Sequence, residues 1–271
     1  MKNLINTEWL KIKNYRAFWL LLGITALSYP GINYMFYAIY QKISEGKGQA
    51  NAAAKFFIGN PFSFPEAWHT VAYFSSYFVF IPAVLVIMFI TNEYTFKTHR
   101  QNIIDGWSRN QFMASKLIDV SIISIIVTAI LAIIALVVGV INTSDVGGNI
   151  MEMTYYIALF ALQTFAQLSI AFMVGFLVRK AFISLGIFLF YFMILEPMLV
   201  KIFSFKYEGL GRFLPLAISN RMIPVPAFLG KFGKEAYEQN IADIPLFVVL
   251  TILLTTLIWY LCFRINNKRD L

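Results

Sequence analysis

Residues 92–116, NEYTFKTHRQNIIDGWSRNQFMASK, are the one long charged stretch interrupting the apolar first two-thirds of the chain. Placed between two apolar segments, the stretch must lie in water while it presents a patterned face to something else. On a helical wheel Ile103, Ile104 and Trp107 share one arc, while Asp105 and Arg109 lie four apart on the other and can pair. Gly106 allows a tight bend between two short helices. Two readings stay open on spacing alone: a short amphipathic helix that receives a push from a partner, or a solvated loop lying on lipid headgroups.

Working outward, the composition decides the solvent. Of 271 residues 59% are hydrophobic and 13% charged, and the mean hydropathy is positive. A soluble domain of this make-up would expose an enormous apolar surface, so the expected fold is an all-α integral membrane protein. The net charge of +8 comes from basic residues that flank apolar runs rather than forming a stripe. They read as topology signals and not as phosphate contacts, which argues against nucleic acid as a partner. Cys262 is the single cysteine, so no intrachain disulfide forms and the redox compartment is left open.

The whole chain, 1–271, reads as a single permease-like transmembrane domain with six spans. Residues 1–16 set Ile5, Trp9 and Ile12 on one side of a short helix whose lysines point to headgroups, an interfacial helix. Spans follow at about 17–40, 71–91, 120–141, 154–178, 181–203 and 244–263. A kink is expected at Pro30 in the first, while the donor missing at Pro82 in the second must be tolerated by neighbouring helices or by a kink. Residues 41–70 form an outer segment with an aromatic, proline-rich anchor, in which His69 reads as an interfacial polar tip with no chemistry. In the third span Ala135 and Gly139 are spaced for close helix contact. Gln163, Thr164, Gln167 and Ser169 are the polar residues of the fourth span, read as glue between helices, with a substrate path as the minority reading. Arg179 and Lys180 make a two-residue turn that forces spans four and five antiparallel.

Glu196 lies late in the fifth span, about 22 Å along it. An acid there is costly and marks function unless it faces water at the boundary beside Lys201, the reading that spacing slightly favours. FLPLAISNRMIPVPAFL, residues 213–229, holds three prolines and Arg221, so an outer re-entrant segment of short helices is expected. Of the 22 Lys and Arg, 13 fall on the side holding both termini; with five acids there, that side carries the whole net charge of +8. Both termini and residues 92–116 are therefore expected in the cytosol.

No enzyme signature is present: HExxH and GxSxG are absent. GKGQ at Gly46 and GKFGKE at Gly230 lack the spacing, and the Ser or Thr after Lys, of a phosphate-binding loop. Any nucleotide binds on another chain. Apart from Glu196 no ionisable residue lies well inside a span, which disfavours ion coupling.

Glu93 followed by Thr98, Arg100, Gln101, Asn102, Ile103, Gly106, Ser108, Arg109, Phe112, Ser115 and Lys116 resembles the pattern between the second and third spans of ABC type 2 exporter permeases. Glu8, Trp9 and the run from Lys11 to Arg16 resemble that family's entry helix, and the six-span plan with a broken segment before the last is similar too. The resemblance implies a dimer with a second permease subunit, the same chain or a relative, in a bacterial cytoplasmic membrane. Each protomer would rest a cytosolic coupling helix in a separate ABC ATPase, which supplies ATP and Mg while this chain holds no cofactor and no metal. On that basis Glu93, Ile103, Ile104, Asp105, Gly106, Trp107 and Arg109 couple to the ATPase, and the outer segment with Glu196, Gln163 and Gln167 forms a gate or substrate path. The aromatic, uncharged span walls point to a hydrophobic or amphipathic substrate such as a lipid, a lipid-linked molecule or a peptide antibiotic. Two other classes stand beside this one: a non-transporting membrane anchor or signalling subunit, and an ion-coupled carrier worked by Glu196.

Overall fold

The computed structural model describes residues 13–44, 59–143, 150–206, 209–230 and 234–268. The interfacial helix expected over residues 1–16 falls almost wholly outside them. Every regular element among the described residues is helical. In lipid each backbone N–H and C=O must be satisfied within its own segment or in a closed barrel, so an apolar chain of this composition resolves into helices.

Helix α1 is Arg16–Ser44, α2 Glu66–Ser76, α3 Phe80–Thr95, α4 Thr98–Ile104, α5 Arg109–Asn142 and α6 Tyr155–Val178. Then come α7, Ala181–Phe190, a π-helical turn at Tyr191–Leu195, and α8, Glu196–Lys206. A 3₁₀ turn at Leu210–Phe213 leads to α9, Pro215–Asn220, α10, Ala227–Gly230, α11, Lys234–Ala242, and α12, Ile244–Lys268. Four helices, α5, α6, the continuous Ala181–Lys206 and α12, are long and apolar enough to cross a membrane, and α2 with α3 makes a fifth that is bent by 51°. The 29 residues of α1 reach about 43 Å, ample for a span, but its tyrosines and Asn33 make it less apolar than the others.

Three expected boundaries move. The second span begins at Glu66 rather than residue 71, and its break falls between Ser76 and Phe80 instead of at Pro82. There the chain tightens into three-residue bonds, Phe78 N to Ser75 O and Val79 N to Ser76 O. Pro82 is the third residue of α3, a first-turn position where no intrahelical donor is missed. Likewise α1 continues through Pro30 without interruption. The third span starts at Arg109, eleven residues before the expected 120. Ser108 accepts from Gln111 N while Gln111 Oε1 accepts from Ser108 N, a capping box that opens the helix inside the charged stretch. At its 34 residues α5 is about 51 Å long, well beyond a hydrocarbon core of about 30 Å.

The Arg179–Lys180 turn is as short as expected: Arg179, in the left-handed conformation at φ 60°, closes α6, and extended Lys180 opens α7. The π turn before α8 also has a local cause, since Pro197 lacks the N–H that would continue the ladder. Helix α6 sits at the centre, packed on α3, α5 and α12. Gly175 lets it approach α3 closely, because a Cβ there would meet Ile90 Cγ2 at 2.6 Å. Gly139, expected to admit another helix, instead seats the ring of Phe64, which occupies the place of a Cβ.

Candidate functional site

The described start of the chain, residues 92–116 and the end of α12 meet at one end of the bundle. Tyr15 Oη accepts from Asn92 Nδ2 at 2.8 Å, and Arg179 lies over the Tyr94 ring at 4.6 Å. Helix α4 is set off by two left-handed residues, Lys97 at φ 55° and Gly106 at φ 97°. A reversal of this kind at Gly106 is what a residue without Cβ permits. The bend foreseen at Gly106 is therefore there, but it separates a seven-residue helix from a 34-residue one rather than two short helices.

That break also divides the expected apolar arc. Ile104, the last residue of α4, is 77% exposed, whereas Ile103 and Trp107 are half-buried. Phe96 just before α4 is 72% exposed. Asp105 and Arg109, expected to pair, lie on opposite sides of the break. Asp105 accepts from Gln101 Nε2 at 3.1 Å. Arg109 Nη1 donates to the carbonyls of Asn267 at 2.9 Å and Asn266 at 3.4 Å, and Asn266 Nδ2 donates back to the Arg109 carbonyl at 2.9 Å. A guanidinium on the last carbonyls of α12 satisfies orphan acceptors and complements the helix dipole.

Glu93 lies inside α3, one helix before the coupling segment, and is buried. Lys116 Nζ, 1% exposed, sits 2.7 Å from Glu93 Oε1 and 3.1 Å from Asp119 Oδ2, with the Phe89 and Phe112 rings at 5.1 and 5.5 Å. These three side chains bolt α3 to α5 directly beneath the α4 excursion. The Lys116–Asp119 spacing of three is the sequence signal for this cluster, and it lies just ahead of the span expected from residue 120.

At the opposite end polar side chains converge on α9. Glu196 is 2% exposed, and its Oε1 accepts from the Ala217 N–H at 2.8 Å. This corrects the boundary reading: the carboxylate turns from water to the first turn of α9, where orphan backbone donors and the positive dipole end favour an anion. Gln163 and Gln167, one turn apart on α6, both donate to Asn220 Oδ1 at 2.8 Å, and Gln167 reaches Ser219 Oγ at 3.2 Å. The segment that follows α9 is held as well. His69 Nε2 lies 2.8 Å from the Pro224 carbonyl, its ring stacked on Tyr156 at 3.9 Å. His69 is thus a buried clamp across 155 residues of chain and not an interfacial tip, a pairing no local pattern announces. No group of three metal-binding side chains occurs among the described residues.

A bundle of apolar helices, with an apolar-tipped helix displaced from one end and a short proline-bounded segment clasped at the other, defines an integral membrane protein. Residues 4–195 match the sequence profile of the ABC-2 family of transporter proteins, and the chain belongs to that family. It is the membrane component of an ABC transporter, which implies a cytosolic ATPase as its partner. No curated protein matches the chain.

Proposed function

We propose that this chain is the permease subunit of an ATP-driven exporter, with six spans, both termini in the cytosol, and residues 98–109 resting in a groove of the ATPase. A second permease subunit completes the pathway, and the cargo is hydrophobic or amphipathic. The carrying observation is the displaced α4: Ile104 and Phe96 are presented to solvent at 77% and 72% exposure while Glu93, Lys116 and Asp119 lock the helices on either side of it. Exposed apolar side chains on a rigid mount suit docking and force transfer, since short helices gain their stability from packing. The clasped α9 at the far end serves as the gate, with Glu196, Gln163 and Gln167 as its latch. The excess of basic residues at the end holding both termini supports its cytosolic placement.

Single cysteines on a Cys262→Ala background test the topology. An impermeant thiol reagent added outside intact cells is expected to label residue 225 and to spare residue 104. Labelling of residue 104 from outside would overturn the arrangement. Transport itself is tested by co-reconstituting the chain with its ATPase in liposomes. ATP-dependent movement of an amphipathic cargo supports the proposal, and ATP turnover with no cargo-dependent response would reduce the chain to an anchor.

A further inference from the structure

The exposed face of α12 carries a continuous apolar stripe, Leu246, Val249, Leu253, Leu257 and Tyr260, at spacings of three and four. This stripe leads to Arg264 one turn on, where the apolar run of the helix gives way to polar residues. There α12 and the first turns of α5 enclose an open groove of about 570 Å³, whose walls include Ala114, Tyr260 and Phe263 on the apolar side and Asn110, Arg264 and Asn267 on the polar side. The groove is preformed: Asn267 Nδ2 donates to Asn110 Oδ1 at 2.8 Å, and Arg109 grips the carbonyls at the end of α12. Arg264 is exposed and has no ion-pair partner among the described residues.

We infer that this groove holds an anionic phospholipid, its phosphate on Arg264 and an acyl chain along the Tyr260–Leu257–Leu253 stripe. The polarity gradient runs in the sense an amphiphile needs, apolar towards the bundle's middle and cationic at its end. Arg presents a planar fork of donors that fits phosphate oxygens. Tyr260 supplies an amphipathic ring at the level where headgroups begin. Charge decides against a second copy of this chain. A two-fold interface places the same patch on both subunits, so it would gather two copies of the Arg264 and Lys268 charges into one contact. An anionic lipid neutralises them.

Native mass spectrometry of the purified full chain, with phosphatidylglycerol and phosphatidylcholine of identical acyl chains, tests this. The wild type is expected to retain phosphatidylglycerol in preference by about fivefold, the discrimination one basic side chain supplies near a membrane surface. Arg264→Gln is expected to bring the ratio to about one, while Arg264→Lys restores most of it. Tyr260→Ala weakens both lipids together. An unchanged ratio in Arg264→Gln, or no preference in the wild type, overturns the assignment. So does loss of dimer or of ATPase binding in Arg264→Gln with lipid preference intact, which would make the groove a protein interface.

Discussion

Removal of Lys116 would be costly to the bundle, because it stands between two buried acids on two helices. Lys116→Met leaves Glu93 and Asp119 close together and away from water. Breaking a buried ionic cluster on one side costs about 3 to 5 kcal/mol, whereas replacing all its members by apolar residues is often near neutral. Thermal unfolding in detergent should therefore show a large loss for Lys116→Met and substantial recovery in the triple variant Glu93→Leu, Lys116→Met, Asp119→Leu. Equal losses in both would mean that the cluster contributes by packing rather than by charge balance. His99 nearby offers a pH readout. Its Nδ1 lies 3.1 Å from the Glu93 carbonyl, and partial burial holds its pKa below the usual histidine value, with Arg100 and Arg179 adding to the shift against the pull of Glu93. The unfolded chain therefore takes up the proton first. Stability from this group is fully present above about pH 6.5 and declines as pH falls through that value towards the depressed folded pKa. His99→Gln should flatten this slope in melting temperatures measured from pH 7 downward.

At the scale of the element, α4 and the turn to α5 separate docking from architecture. Ile104→Ala removes an exposed side chain and should leave the melting temperature within error while weakening ATPase binding several-fold, the behaviour of an apolar anchor in a partner groove. Arg109→Ala should do something different. It strips the terminal carbonyls of α12 of a charged donor, so about 1 to 3 kcal/mol of stability should go with it. Thermal unfolding compared with ATPase pull-down distinguishes the two; equal binding in wild type and Ile104→Ala would leave α4 a solvated excursion. These residues also show what the chain's pattern could and could not reveal. The bend at Gly106, the two-residue turn at Arg179 and the broken segment at 213–229 all follow from local chemistry and are legible, whereas the single apolar arc of Ile103, Ile104 and Trp107 is not what the structure shows. The start of α5 is obscured by the charge around it, although Ser108 and Gln111 spell a capping box. Contacts such as His69 with Pro224, or Arg109 with Asn267, join residues more than 150 apart. Periodicity carries no information about them, and packing alone brings them together.

Across the whole molecule α6 links the two ends. Phe176 lies near Tyr94 at the α4 end, Gly175 fits against α3, and about 13 to 20 Å further along the helix Gln167 and Gln163 hold α9. Phe172 stacks on Trp259 at 4.8 Å, and the Trp259 indole donates to Ser169 at 2.9 Å, so α12 is keyed to the same helix. In the proposed mechanism a push on α3 and α5, fixed together by Lys116, would travel to α9 through α6. A latch of the kind proposed must be weak enough to release, and hydrogen bonds between membrane helices average about 0.6 kcal/mol. Gln163→Leu with Gln167→Leu removes the three bonds to Ser219 and Asn220 while keeping bulk, and should raise thiol labelling of a cysteine at Val225 several-fold. Glu196→Leu should act in the same direction by leaving the Ala217 N–H unpaired, whereas Glu196→Gln retains an acceptor oxygen for it and should stay near wild type. In reconstituted transporter the released variants should hydrolyse ATP faster in the absence of cargo, because opening no longer waits for the latch. Should the leucine variants label Val225→Cys at the wild-type rate and keep cargo-dependent turnover, α9 is a fixed lid and the gate lies elsewhere.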